Sequence, residues 1–238
     1  MLRALIRRLM GRDGSDLGNL TGPHGCIHAA ASFIAFNQVE GDYLEFGVYK
    51  GESLVQAYHS LLRQRRHLDD VPSADSEFLR WKQSPPRFFA FDSFQGMPKG
   101  PADRHVDYFP GAMNSSEPNV RQFLAENGVD LTRVVTVPGF YDRSLTPEKK
   151  LELGLKRAAL VMIDCDLYES TVPVLEFLTD LVGQGTVLIF HDWFRYKGNP
   201  NQGEQRACRE WLARNPHLEL VEYWREGPQA VSFLVNLK

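Results

Sequence analysis

The chain has 238 residues, 43% hydrophobic and 24% charged, which suits one α/β domain with a continuous core and excludes disordered or low-complexity classes. Lysine and arginine total 27 against 30 acids, a net charge of -3, so no cationic field exists to hold a polyphosphate backbone and nucleic acid is not expected as a partner. Cys26, Cys165 and Cys208 stand at unrelated spacings without a Cys-x-x-Cys pair, which points to a reducing, cytoplasmic setting.

Along the chain, Leu2, Leu5, Ile6 and Leu9 alternate with Arg3, Arg7, Arg8 and Arg12 at helical spacing, predicting a short basic amphipathic helix. Its apolar run is too broken for a secretory signal or a stable membrane insertion, which needs about 20 apolar residues. The expectation is a helix packed on the domain or on a partner subunit, giving a homo-oligomer through the N-terminal helices; a membrane-surface or targeting role is the alternative. A second helix is predicted over His24 to Asn37, so residues 1–40 read as an N-terminal helical lid or packing segment and 41–238 as the main domain.

From there strands and helices alternate. Apolar runs predict strands at Tyr43 to Phe46, Arg87 to Asp92, Val134 to Val137, Ala158 to Ile163 and Thr186 to Phe190. Helical spacing predicts helices over Gly51 to Leu62, Pro118 to Glu126, Ser170 to Val182 and Asn201 to Arg214. Leu218 to Trp224 and Ala230 to Leu237 read as a closing antiparallel hairpin. The pattern predicts an α/β fold with a doubly wound, mostly parallel sheet whose ligands gather beyond the carboxyl ends of the strands. Residues 65–86 read as a solvent-exposed insertion with a small helix at Ser76 to Trp81, and the Gly/Pro-rich stretch Gln95 to Asn114 as a candidate lid.

The strand ends carry the chemistry. Tyr43 to Ser53 (YLEFGVYKGES) places Glu45, Gly47, Gly51 and Ser53 at a strand-to-helix turn, where glycines permit close approach of a ligand to free N–H groups; tight packing alone is the competing explanation. The next strand ends in Asp92 and Ser93, where doubly wound folds put an acid for a ribose diol, although the glycine-to-acid interval is about twice the roughly 20 residues usual for dinucleotide sites. AALVMI runs into Asp164, Cys165 and Asp166, and GTVLIF into His191, Asp192 and Trp193. Asp164 and Asp192 suit Mg2+, while His191 as a nitrogen ligand admits Mn2+ or another transition metal. The competing explanations are helix capping for Asp164 and Asp166 and a supporting role for His191. Cys165 reads as a buried spacer.

These segments, YLEFGVYKGES, FAFDSFQGMP, VPGFYDRSL, VMIDCDLYEST and IFHDW, resemble in order the macrocin O-methyltransferase family of S-adenosylmethionine- and Mg2+-dependent sugar O-methyltransferases. The resemblance spans about Asp42 to Trp211. It implies a class I methyltransferase, Rossmann-like seven-stranded fold with S-adenosylmethionine near Glu45, Gly47, Gly51, Ser53, Asp92, Ser93 and Asp164. It further implies metal at Asp164 and Asp192, with Asp166 as candidate base and a small-molecule hydroxyl as acceptor. The family usually has two adjacent acids where this chain has His191 and Asp192, so His191 is assigned to the metal or to auxiliary base catalysis. Trp193 replaces a common tyrosine. The alternatives are a methyltransferase fold that binds without transfer and a Rossmann-type oxidoreductase.

Overall fold

A computed structural model describes residues 24–99 and 108–238; the expected helix at residues 2–12 and the middle of the expected lid lie outside them. Seven strands form one sheet: β1 Asp42–Phe46, β2 Phe88–Asp92, β3 Val134–Pro138, β4 Ala158–Ile163, β5 Val187–Phe190, β6 Leu218–Glu226 and β7 Ala230–Leu237. Their order is β3-β2-β1-β4-β5-β7-β6, and β7 runs antiparallel to both β5 and β6. The central parallel strands are largely apolar on both faces because both faces are covered; all six positions of β4 are buried, whereas the edge strand β3 is partly exposed.

Side-chain alternation divides the core into two layers. On one face, Tyr43, Phe88, Leu160, Met162 and Ile189 pack against α1 (Gly25–Asn37), α2 (Glu52–Arg66) and α4 (Glu117–Glu126). On the other, Phe46, Phe91, Ile163 and Phe190 meet α7 (Tyr168–Leu178) and α8 (Gly203–Arg214), whose Trp211 is fully buried. Helix α1 has no local side-chain cap. Instead the Glu226 carboxylate, at the end of β6, accepts from the His24 N–H at 2.6 Å and the Cys26 N–H at 2.5 Å. A charge-assisted cap from a distant strand thus ties the start of α1 to the hairpin.

The insertion is largely exposed with a short helix, as expected, but it is anchored at a few buried positions. Helix α3 (Ser76–Gln83) is started by Asp75, which accepts from the Glu77 and Phe78 N–H groups. Phe78 and Trp81, three residues apart on one helix face, are buried with Leu68 and Ala35 in a small separate cluster. The Arg65 guanidinium carbon lies 4.0 Å from the Trp81 ring centre. Two short helices not expected from periodicity, α5 (Tyr141–Ser144) and α6 (Pro147–Glu152), connect β3 to β4. No helix among the described residues is long and apolar enough to cross a membrane.

Candidate active site

The glycine turn is built first by packing. Gly47 has φ +92°, and a Cβ there would lie 1.8 Å from the Asp164 carbonyl oxygen, so only glycine lets the β1 and β4 tips touch. Gly51, φ +91°, opens α2, whose first turn no side chain caps. Asp92 closes the turn from the neighbouring strand: Oδ2 accepts from the Val48 N–H at 2.8 Å and the Tyr49 N–H at 3.1 Å, and Oδ1 from the Phe94 N–H at 2.8 Å. Ser93 shapes the following turn, donating to the Gly96 carbonyl at 2.8 Å and accepting from the Gln95 N–H at 3.0 Å.

Glu45 and Ser53 lie behind this turn. Glu45 is fully buried and takes one hydrogen bond from the Tyr43 hydroxyl and one from the Ser53 hydroxyl, both 2.5 Å. Burial pushes its carboxyl up to about 8 against those two bonds, with Asp164 and Asp92 adding to the rise. The structure therefore brings Gly47, Gly51, Asp92 and Asp164 together at the strand tips and sets Glu45 and Ser53 one layer deeper.

The second half of the cleft stands at the tips of β4 and β5, which pair with Ile163 beside Phe190. The next residues are consequently neighbours: His191 Nδ1 lies 3.0 Å from Asp164 Oδ1. Asp192 is buried, and Arg195 Nε lies 3.0 Å from its Oδ1. One ligating atom each from Asp164, His191 and Asp192 falls within 4.8 Å of the others. Two carboxylates and an imidazole fit a divalent cation, and the nitrogen favours Mn2+ or a similar transition ion over an all-oxygen Mg2+ site. Burial alone would lower the His191 pKa; contact with Asp164 and the charges of Asp192 and Glu226 outweigh it and hold the imidazole at about 9.

Asp166 sits beside this group at φ +62°, a left-handed conformation uncommon for a residue with a side chain. Burial, then the adjoining Asp192 carboxylate, push it well above the usual carboxylate range. Capping does not explain these acids, because the N-cap position of α7 is Leu167 and no side chain caps the helix. Cys165 is buried, its Sγ 3.5 Å from the Thr171 hydroxyl, and burial raises its thiol, as suits an inert spacer.

Sequence reasoning missed three neighbours. Tyr108, in the expected lid, is 2% exposed, with the Arg195 guanidinium carbon 5.6 Å from its ring centre and the Tyr196 ring 6.5 Å away. Arg195 pairs with Asp192 three residues before it, a spacing that was readable once Asp192 was singled out. Glu204 is 1% exposed in α8, where a charged residue in an amphipathic helix gave no signal of burial.

This strand order, with its antiparallel β7 and a glycine turn facing acidic strand tips, defines a class I S-adenosylmethionine-dependent methyltransferase. Residues 23–210 match the macrocin-O-methyltransferase (TylF) family, and the chain belongs to it. It is an S-adenosylmethionine-dependent O-methyltransferase, and the oxidoreductase alternative falls. The chain is similar to the 8-demethyl-8-(2,3-dimethoxy-alpha-L-rhamnosyl)-tetracenomycin-C 4'-O-methyltransferase of Streptomyces olivaceus, 26% identical, with 78% of this chain and 67% of that protein covered. Its fold is similar to those of the calicheamicin methyltransferase CalS11 (TM-score 0.67, 22% identity, 98% of this chain and 90% of that one) and the O-methyltransferase NovP (TM-score 0.66, 22% identity, 89% and 78%).

Proposed function

We propose that this enzyme methylates a sugar hydroxyl of a small-molecule natural product, with Asp164, His191 and Asp192 holding a divalent cation and Asp166 acting as general base. The observation that carries it is the convergence of those three ligating atoms within 4.8 Å at the tips of two adjacent strands, with Asp166 alongside. The acceptor class follows the name of the Streptomyces olivaceus relative, which places its methyl on a rhamnosyl group.

The residues divide the work. The turn from Gly47 to Gly51 and the uncapped first turn of α2 receive the cofactor's charged end. Asp92 holds that turn through the Val48 and Tyr49 N–H groups, and its oxygens keep lone pairs for the ribose diol. S-adenosylmethionine would supply a methyl on a sulfonium centre, open to in-line attack by an oriented oxygen nucleophile with S-adenosylhomocysteine as the leaving group. Asp164, His191 and Asp192 would hold the cation, which would supply positive charge that makes a nearby aliphatic hydroxyl more acidic. Asp166, adjoining Asp192, is the carboxylate placed to take the hydroxyl proton. Tyr108, packed by its ring against Arg195 beside Asp192, would help to exclude water from the acceptor side.

The test is transfer of labelled methyl from S-adenosylmethionine to a rhamnoside, after chelator treatment and after adding back Mn2+ or Mg2+. Chelation should abolish transfer, Mn2+ should restore it best, and Asp166→Asn should lower kcat by about 100-fold or more. His191→Asp should keep activity and shift the preference toward Mg2+. Full chelator-resistant transfer by Asp164→Ala would remove the metal from the reaction.

A further inference from the structure

Glu204, the second residue of α8, belongs to no function assigned so far. It is 1% exposed, its Oε2 accepts from the Asp192 backbone N–H at 3.0 Å, and its Oε1 has no hydrogen-bond partner among the described residues. The next residue completes a clamp: Gln205 Nε2 donates to the Trp193 carbonyl at 2.6 Å. Two adjacent side chains of α8 thus grip the backbone of two adjacent residues just past β5, Asp192 by its N–H and Trp193 by its C=O. Gly203, φ +54°, opens the helix where a Cβ would lie 2.7 Å from the Tyr196 ring.

Such a contact carries a cost. A buried carboxylate with one oxygen unpartnered, facing Asp192, Asp164 and Asp166, is a poor choice for anchoring a helix to a sheet. Its one hydrogen bond falls on the backbone of the proposed metal ligand itself. We propose that Glu204 is a positioning residue for the cation site: by accepting from the Asp192 N–H it fixes the peptide that aims the Asp192 carboxylate between Asp164 and His191. The inference rests on the metal reading above, and it adds a residue from a different element to the site.

Two substitutions separate the acceptor from the charge. Glu204→Gln keeps an oxygen at the same reach and loses the charge; Glu204→Asp keeps the charge and draws the oxygen back by roughly 1.5 Å. Mn2+ affinity is measured by electron paramagnetic resonance on the full chain freed of metal, and S-adenosylhomocysteine affinity by calorimetry reports on the fold and the neighbouring cofactor turn. Glu204→Gln should bind Mn2+ within about threefold of the unsubstituted protein, whereas Glu204→Asp should lose about 10- to 100-fold, both with S-adenosylhomocysteine affinity unchanged. The reverse pattern, equal Mn2+ binding by all three proteins, or joint loss of both ligands in Glu204→Asp overturns the assignment. If the unsubstituted chain takes up no Mn2+, the metal reading and this inference fall together; a failure confined to the Glu204 variants leaves the metal reading standing.

Discussion

At the scale of single residues, His191 is the position where composition and geometry pull hardest against each other. Imidazole is a weaker ligand for Mg2+ than the carboxylate usual in the family, yet here it lies 3.0 Å from Asp164, which stabilises its charged form. Its folded pKa of about 9 stands above the ordinary 6.5, so the charged contact contributes its full stabilisation below about pH 6.5 and loses it as pH rises through 9. An NMR titration of metal-free protein should find the His191 midpoint near 9 and its loss of stability in that window. Asp164→Asn should bring the midpoint down, because burial is then less opposed; an unmoved midpoint would show that Asp164 is not the cause. Cation binding needs the neutral imidazole, so metal affinity should climb across the same pH range.

At the scale of elements, the β1 and β4 tips are in contact through Gly47, and this contact sets the spacing between cofactor turn and acid cluster. The Asp164 N–H donates to the Phe46 carbonyl at 2.8 Å, so the two tips are already joined by backbone before any ligand arrives. Gly47→Ala combines a left-handed φ of +92° with a Cβ 1.8 Å from a carbonyl oxygen, and should cost about 3 kcal/mol or more in urea unfolding. It should weaken S-adenosylhomocysteine and Mn2+ binding together. Gly227→Ala is the control: φ is +55° but nothing lies within 4 Å, so the cost should stay near 1–2 kcal/mol without effect on either ligand. Equal costs at the two glycines would mean that the tips do not touch as described.

The elements also show where periodicity suffices. Strands β1, β2, β4 and β5 were legible because both faces are buried and the runs are largely apolar, while the edge strand β3, partly exposed, was legible from its β-branched run; boundaries fell within about two residues. Helix α7 begins at Tyr168 and ends at Leu178, earlier at both ends than Ser170 and Val182, because the apolar run continues past the helix into a turn. The insertion is mostly exposed as its composition implied, but its buried anchor was not legible, because two aromatic residues in a short polar helix do not announce a cluster until α1 and α2 are placed beside them.

At the scale of the whole molecule, one sheet with both faces covered gives a rigid base on which the strand tips form a single cleft. Binding at that cleft should stabilise the fold by mass action. S-adenosylhomocysteine at 100 times its Kd should add about 2.7 kcal/mol, a Tm rise of roughly 5–10 °C for a chain of this size. NAD at the same concentration should leave Tm unchanged. A comparable rise with NAD would contradict the cofactor assignment.

The sequence by itself determined the layered α/β architecture, because continuous apolar runs and period-3.6 apolar patterns are local and each strand's burial is written in its own composition. It also determined which strand ends bear acids and glycines, since those residues directly follow the apolar runs. Only the tertiary structure decided how they are used. Glu45 and Ser53 turned inward to each other, since alternate side chains of β1 face α2 and not the cleft. Asp164 met His191 because the register of β4 with β5 sets Ile163 beside Phe190. Glu204 reached Asp192 only because α8 packs back across the β5 tip, a long-range contact that no spacing along the chain encodes.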